Sequence, residues 1–162
     1  MPRSDLAALN VAYRRIPVLT LGRDVILDTR LILQVLERRF PDGALGDATY
    51  GPEQRAVRRL LERWTSDAGV FQRSVQLIPT SLPNMRDPAF IKDRSEMGGQ
   101  PWSKERIDRA RPEAMVHVRD AFELLESTLL SDGRQWIFGT DAPGLVDIEG
   151  ELWAQGRRRA VG

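Results

Sequence analysis

The sequence predicts a mainly α-helical protein with one small β hairpin near its N-terminus. Two short apolar runs flank Gly22-Arg23-Asp24, and longer stretches of helically spaced apolar residues follow Pro52 and Ser103. Short runs rich in β-branched residues around a glycine turn indicate a hairpin, whereas spacings of three and four indicate one face of a helix. Because the helical stretches are much longer than the two short runs, helix is expected to dominate the 162 residues.

The hairpin is predicted to be followed directly by a helix. Residues 16–21 and 25–27 are the two strands, and Asp28-Thr29 stands where a helix start is expected. Apolar residues then recur at positions 32, 33, 36 and 40 until Pro41, which cannot continue a helix. Residues 4–13 show a weaker helical pattern. The order is therefore strand, turn, strand, helix.

A glycine-containing loop at residues 42–50 marks the predicted domain boundary, which divides the chain into residues 1–43 and 44–162. Pro52 suits the first turn of a helix, and the apolar pattern predicts one long helix over residues 52–75. We interpret its apolar residues as core. They are Val57, Leu60, Leu61, Trp64, Ala68, Phe71 and Val75.

The rest of the second region is predicted to contain a long loop and two further helices. Residues 76–102 are rich in proline, although Asp87 is expected to cap a short helix within them. Ser103 is a candidate N-cap for the next helix, in which Arg111-Pro112 predicts a break or a kink. A last helix is predicted after Gly144 as N-cap, with Asp147 at its third position.

Composition and charge exclude several classes of function. The formal net charge of +1 is too small to favour nucleic acid or an anionic membrane as a partner. The absence of cysteine excludes disulfides and thiolate metal sites, and no apolar run could span a bilayer. With no signal peptide visible, the expected compartment is the cytoplasm. The clustered arginines predict solvated surface, at positions 55, 58, 59, 63 and 157–159.

Other candidate sites are weak. His117 is the only histidine, and its apolar neighbours in sequence predict a buried or half-buried structural residue. One histidine without carboxylates at ligand spacing does not make a metal site, so no metal is expected. Asp93 and Arg94 are expected to form local surface ion pairs.

Three features in this order resemble the glutathione S-transferase family. The first is the run from Arg15-Ile16-Pro17 through Asp28-Thr29 to Phe40-Pro41, which is similar to the second half of the family's thioredoxin-like N-terminal domain. The second is the long helix led by Pro52, which would open the family's all-helical C-terminal domain. The third is the segment at residues 136–148, which is similar to the start of a buried helix there. The resemblance covers roughly residues 9–153.

The resemblance implies a partial glutathione site. In the family a cis bond precedes the proline that matches Pro17, and the backbone of the residue matching Ile16 pairs with the cysteinyl part of glutathione. The acid and hydroxyl matching Asp28 and Thr29 face the ammonium and carboxylate of the γ-glutamyl group. An ordinary trans proline at an edge strand and a plain helix cap remain the structural alternatives. The acid matching Asp147 is structural in the family.

The family's catalytic Ser, Tyr or Cys lies at or just after a first strand that has no counterpart here, so the catalytic residue is unknown. We expect a chain truncated at both ends of the family's fold. As a glutathione S-transferase it would use a small-molecule thiol, glutathione, and an electrophile as co-substrates, and family members are commonly homodimers. The alternative is a non-catalytic ligand-binding or protein-interaction helical module derived from such an enzyme.

Overall fold

The computed structural model describes residues 4–46, 48–67 and 69–151, and it is mainly helical with one two-stranded sheet. Its helices are α1 (Ser4–Ala8), α2 (Thr29–Arg39), α3 (Pro52–Ser66), α4 (Val70–Val75), α5 (Pro88–Gly98), α6 (Lys104–Ser127) and α7 (Leu145–Glu151). The strands are β1 (Val18–Leu21) and β2 (Asp24–Leu27). Short 3-10 turns cover Pro41–Gly43 and Pro83–Arg86. None of the helices in these ranges is long and apolar enough to cross a membrane.

The chain forms two compact units. The first contains the described residues up to Ala44 together with Pro79–Arg106, and the second contains Leu45–Ile78 and the described residues from Ile107 onward. The predicted division into residues 1–43 and 44–162 remains a prediction.

In the first unit, the hairpin is confirmed and α2 packs against both of its strands. The strands are antiparallel, with Leu21 opposite Asp24 and Val18 opposite Leu27. Gly22 takes a φ of +61° at the first position of the two-residue turn, a conformation that glycine adopts without steric cost. On α2, Ile32 is the residue that is buried.

The same unit contains more helix than the sequence predicted between residues 76 and 102. Asp87 caps α5 as expected, because its carboxylate accepts the N–H of Ala89 at 2.8 Å. The helix then runs to Gly98 and ends on Gly99 in the left-handed conformation. The edge of Phe90 meets Trp102 at a centroid distance of 6.5 Å. The expectation of a mostly irregular segment was therefore wrong.

In the second unit, the predicted long helix over residues 52–75 is two helices. α3 ends at Ser66, and α4 begins after Gly69, whose φ of +92° is left-handed and interrupts the helical path. The buried face of α3 also differs from the predicted stripe: Leu61 is buried, but Leu60 is 67% exposed. Phe71 and Val75 of α4 are exposed as well. Ala68 lies outside the described residues.

A buried ion pair joins α3 to α7 in this unit. The Nη1 atom of Arg58 donates to both carboxylate oxygens of Glu149, at 2.8 and 2.9 Å. Both residues are buried, so the prediction that Arg58 is solvated was wrong, whereas Arg55, Arg59 and Arg63 are exposed. Buried charges need partners, and Glu149, far away in sequence, is the partner that local reasoning could not supply. Positions 157–159 lie outside the described residues.

Helix α6 is continuous through Pro112, so of the two predicted alternatives the break was wrong, and the kink remains a prediction. A proline inside a helix costs about 3 kcal/mol, and the burial of Ala114, Ala121 and Leu125 along the following turns offsets that cost. Ser103 caps the helix as predicted, since its hydroxyl accepts the N–H of Arg106 at 3.1 Å.

Candidate functional site

The four residues predicted to hold glutathione lie at one end of the hairpin. Ile16 and Pro17 come immediately before β1, and Asp28 and Thr29 come immediately after β2. The last paired residues at that end are Val18 and Leu27, which face each other. Facing residues of antiparallel strands have Cα atoms about 4.5–5.5 Å apart. The two pairs therefore extend from neighbouring positions at the open end of the hairpin, opposite the turn.

The Ile16–Pro17 peptide bond is cis, the isomer expected from the resemblance. Pro17 is exposed, and Ile16 is one of the most exposed apolar residues described, at 74%. The main chain of Ile16 lies outside the β1–β2 pairing, which begins at Val18. Ile16 lies in a bend directly before the strand, and backbone N–H and C=O groups outside a ladder can pair with an added peptide.

Asp28 holds an unusual backbone conformation at the start of α2. Its φ is +75° and its ψ is +127°, a region in which non-glycine residues are rare. The Oδ1 atom accepts the N–H of Arg30 at 2.9 Å, so Asp28 is the N-cap of α2. The plain helix cap, one of the two structures that the sequence allowed here, is therefore present. It uses one carboxylate oxygen and leaves Oδ2 facing an exposed environment.

Thr29 is the first residue of α2, and its side chain is exposed. The first-turn N–H groups of a helix have no partners within the helix, and with the helix dipole they favour an anion. A hydroxyl at the first position adds a further donor beside them. The start of α2 therefore presents hydrogen-bond donors, namely first-turn N–H groups and the Thr29 hydroxyl. The Asp28 carboxylate, an acceptor, is adjacent to them in sequence.

An ion-pair cluster anchors the segment that leads into the candidate site. Arg14 donates to the Asp93 carboxylate, to the Asp93 carbonyl at 3.3 Å and to Glu96 at 3.2 Å, so it ties residues before β1 to α5. The hydrogen bond that Arg14 donates to the Asp93 carboxylate raises the pKa of Arg14 further above its ordinary value. The predicted pairing of Asp93 with Arg94 is confirmed at 2.7 Å. Sequence reasoning missed Arg14, because its partners lie about eighty positions away.

Asp147 is structural, as the resemblance implied. Its Oδ1 accepts the N–H of Ile137 at 2.7 Å, and its Oδ2 accepts the N–H of Gly144 at 2.8 Å. The residue is 3% exposed and lies at the third position of α7. Its carboxylate therefore closes the helix start and holds the preceding loop, with both oxygens bound to main-chain N–H groups of the protein.

His117 differs from its expected environment. Its side chain is 55% exposed, and Nε2 lies 3.6 Å from Oε1 of Glu113 one turn earlier on α6. The prediction of a buried or half-buried histidine was wrong, and Val116, one of its two apolar neighbours in sequence, is exposed too. Across the described ranges, no three His, Asp or Glu side chains are grouped closely enough to hold a metal ion.

The chain matches the family described as "Domain of unknown function (DUF7962)" over residues 73–156. Because the match covers just over half of the sequence, the chain belongs to this family. The matched residues include α5, α6 and α7, and they exclude the hairpin and its candidate site. No curated protein matches the chain.

Proposed function

We propose that the chain is a glutathione S-transferase-like protein whose hairpin end retains part of a glutathione site. The observation that carries the proposal is the meeting of two complementary groups at that end. One is the exposed backbone at Ile16–Pro17, and the other is the acid and hydroxyl of Asp28-Thr29 at the start of α2.

The backbone conformation of Asp28 supports a ligand role. A non-glycine residue in a sparsely populated region costs on the order of 1–3 kcal/mol, and such residues cluster at ligand-binding positions. A helix cap alone does not require this cost, since Asp caps helices with ordinary extended backbone, as Asp87 does on α5 with φ −70° and ψ 121°. The difference between the two caps favours a second role for Asp28.

Each part of the proposed site has a chemical counterpart in glutathione. The main chain of Ile16 would pair with the cysteinyl unit as an added strand does. The Thr29 hydroxyl and the first-turn N–H groups of α2 other than that of Arg30, which Asp28 already accepts, would bind the γ-glutamyl carboxylate. The free oxygen of the Asp28 carboxylate would face the ammonium group. In a complete enzyme these contacts would position the thiol for attack on an electrophile.

The test is calorimetric titration of the purified chain with S-methylglutathione, which keeps the recognised groups and cannot form a disulfide. We expect saturable binding that is lost in an Asp28→Ala, Thr29→Ala double variant. The matched control is Thr20→Ala, Asp24→Ala, which removes the same residue types from exposed positions of the same hairpin. Equal binding by both double variants, or none by the folded wild-type chain, would refute the proposal.

The second unit favours a second candidate function, a non-catalytic protein-interaction module. Its helices expose large apolar side chains, led by Leu60 at 67% and Val116 at 50%. Where such side chains form a contiguous patch, they mark a site of association. Sedimentation equilibrium of wild type and Leu60→Ser tests it, with Leu9→Ser as a control at another exposed leucine. The candidate predicts self-association that only the Leu60 substitution weakens.

A further inference from the structure

A cleft with a volume of about 260 Å³ opens on the second unit, whereas the candidate glutathione site belongs to the first. Trp64 of α3 and Val70 of α4 line one part of it, and Ala121 and Leu124 of α6 line another. These four side chains give it an apolar wall. Pockets for drug-sized ligands range from about 300 to 1,000 Å³, so this cleft suits a ligand of one or two rings.

The polar part of the cleft consists of Arg73, His117 and Asp120, and Glu113 lies outside the lining. Arg73 and His117 line it, but both face the same carboxylate oxygen of Glu113. The Arg73 Nη2 atom lies 3.0 Å from that oxygen, and the His117 Nε2 atom lies 3.6 Å from it. The positive charge of Arg73 is therefore already compensated by the protein.

Asp120 is the remaining charged residue of the lining, one turn along α6 from His117. Within the described part of the chain its carboxylate makes no hydrogen bond or ion pair, unlike the Glu113 carboxylate. A cation entering the cleft would meet this carboxylate without having to displace a protein partner. An anion would meet the unpaired negative charge.

Trp64 supplies the second element of recognition. It is half-buried on α3 and lines the same cleft. Tryptophan offers the most favourable aromatic face for a cation, within about 6 Å of the ring centroid. It also stacks on planar ligands in offset or edge-to-face geometry. A carboxylate and an indole in one small cleft form a combination that selects flat, positively charged molecules.

We propose that this cleft binds a small aromatic cation, an arylammonium or arylamidinium, with its ring against Trp64 and its charge facing Asp120. The apolar side chains of Val70 and Leu124 cover the ring edges. The inference does not depend on the proposed glutathione site, because all of the lining residues belong to the second unit.

The experiment titrates the ¹⁵N-labelled chain with benzamidine, benzamide and benzoate, which share one shape and carry positive, zero and negative charge. The readout is the indole N–H signal of Trp64, assigned by its absence in Trp64→Phe. We expect saturable shifts with benzamidine and no saturation with benzoate. Benzamide should bind up to about fivefold more weakly than benzamidine, the upper end of the range for an exposed ion pair.

An Asp120→Asn variant provides the second arm. We expect it to weaken benzamidine binding about fivefold and to leave benzamide binding unchanged. Glu126→Gln is the matched control, because Glu126 is an exposed carboxylate on the same helix that does not line the cleft. Both positions are exposed, so the folded state survives and is checked by the dispersion of the remaining amide signals. Equal affinity for benzamide, or no effect of Asp120→Asn, would overturn the proposal.

Discussion

The hydroxyl of Tyr50 occupies the space that a side chain at Gly144 would need. A Cβ atom built on Gly144 would overlap that oxygen, and it would lie 3.3 Å from the carbonyl oxygen of Leu45. The Tyr50 ring is held in place by an edge-on contact with Phe138 at 5.1 Å. The preference of helix N-caps for Ser or Thr is therefore overruled at position 144 by packing.

We expect Gly144→Ala to destabilise the protein by about 1–3 kcal/mol, as overpacking does in other cores. Tyr50→Phe removes the overlapping oxygen, so the double variant Tyr50→Phe, Gly144→Ala should recover part of that loss. Urea denaturation of the four proteins in the cycle measures the coupling. Additive effects of the two substitutions would show that the overlap is relieved elsewhere.

Asp147 is expected to be more important for stability than any exposed carboxylate near it. Asp147→Ala leaves the buried N–H of Ile137 without an acceptor, at about 1–3 kcal/mol, and also removes the acceptor of the half-buried Gly144 N–H. Asp147→Asn keeps one acceptor oxygen and should cost less than Asp147→Ala. Thermal unfolding ranks the variants, with Asp141→Ala in the preceding exposed loop as the control.

Replacing Asp28 by glycine and by alanine should have different effects on the free energy of unfolding. Glycine accepts a φ of +75° without strain and is a tolerable N-cap, so Asp28→Gly is expected to be as stable as wild type or more stable. Asp28→Ala keeps the backbone strain and loses the cap, which costs about 1 kcal/mol. Chemical denaturation separates the two. If the proposed function holds, both variants lose affinity for S-methylglutathione. The loss of binding is then independent of the change in the free energy of unfolding.

Asp132 provides a pH-dependent contact that can be measured directly. Arg134 donates to it from Nε at 2.8 and 2.9 Å, which lowers the pKa of Asp132 to about 2. Because this pKa lies below the ordinary value of 3.8, the stabilisation is complete above that value and is lost as the pH falls through about 2. Carboxyl ¹³C titration should show this midpoint, and Arg134→Gln should move it toward 3.8. An unchanged midpoint in the variant would exclude Arg134 as the cause.

The sequence was informative where local rules decide the structure. The turn at Gly22, the caps at Asp28, Asp87 and Ser103, and the helix stop before Pro41 all depend on neighbouring residues. The position of the four candidate site residues at the open end of the hairpin also follows from local sequence, because the residues just before β1 and just after β2 are neighbours when the two strands pair.

The features that could not be predicted depend on contacts between distant segments. Arg58 was expected in solvent because the charge pattern of α3 does not reveal Glu149 on α7. The exposure of Leu60 and the burial of Leu61 follow from where α7 and α4 pack on α3, which the periodicity of a single helix does not specify. The left-handed Gly69, which divides the predicted long helix, looks in the sequence like a tolerated helical glycine.

The two-residue turn at the far end of the hairpin has a consequence for how this chain can vary. Pairing advances in steps of one residue on each strand, and a slip of one residue turns every side chain to the opposite face of the sheet. An insertion beside Gly22 that shifted the pairing of Val18 with Leu27 would therefore separate Pro17 from Asp28. Sequences that keep Ile16, Pro17, Asp28 and Thr29 but shift this register should lose the proposed site without losing any of its side chains.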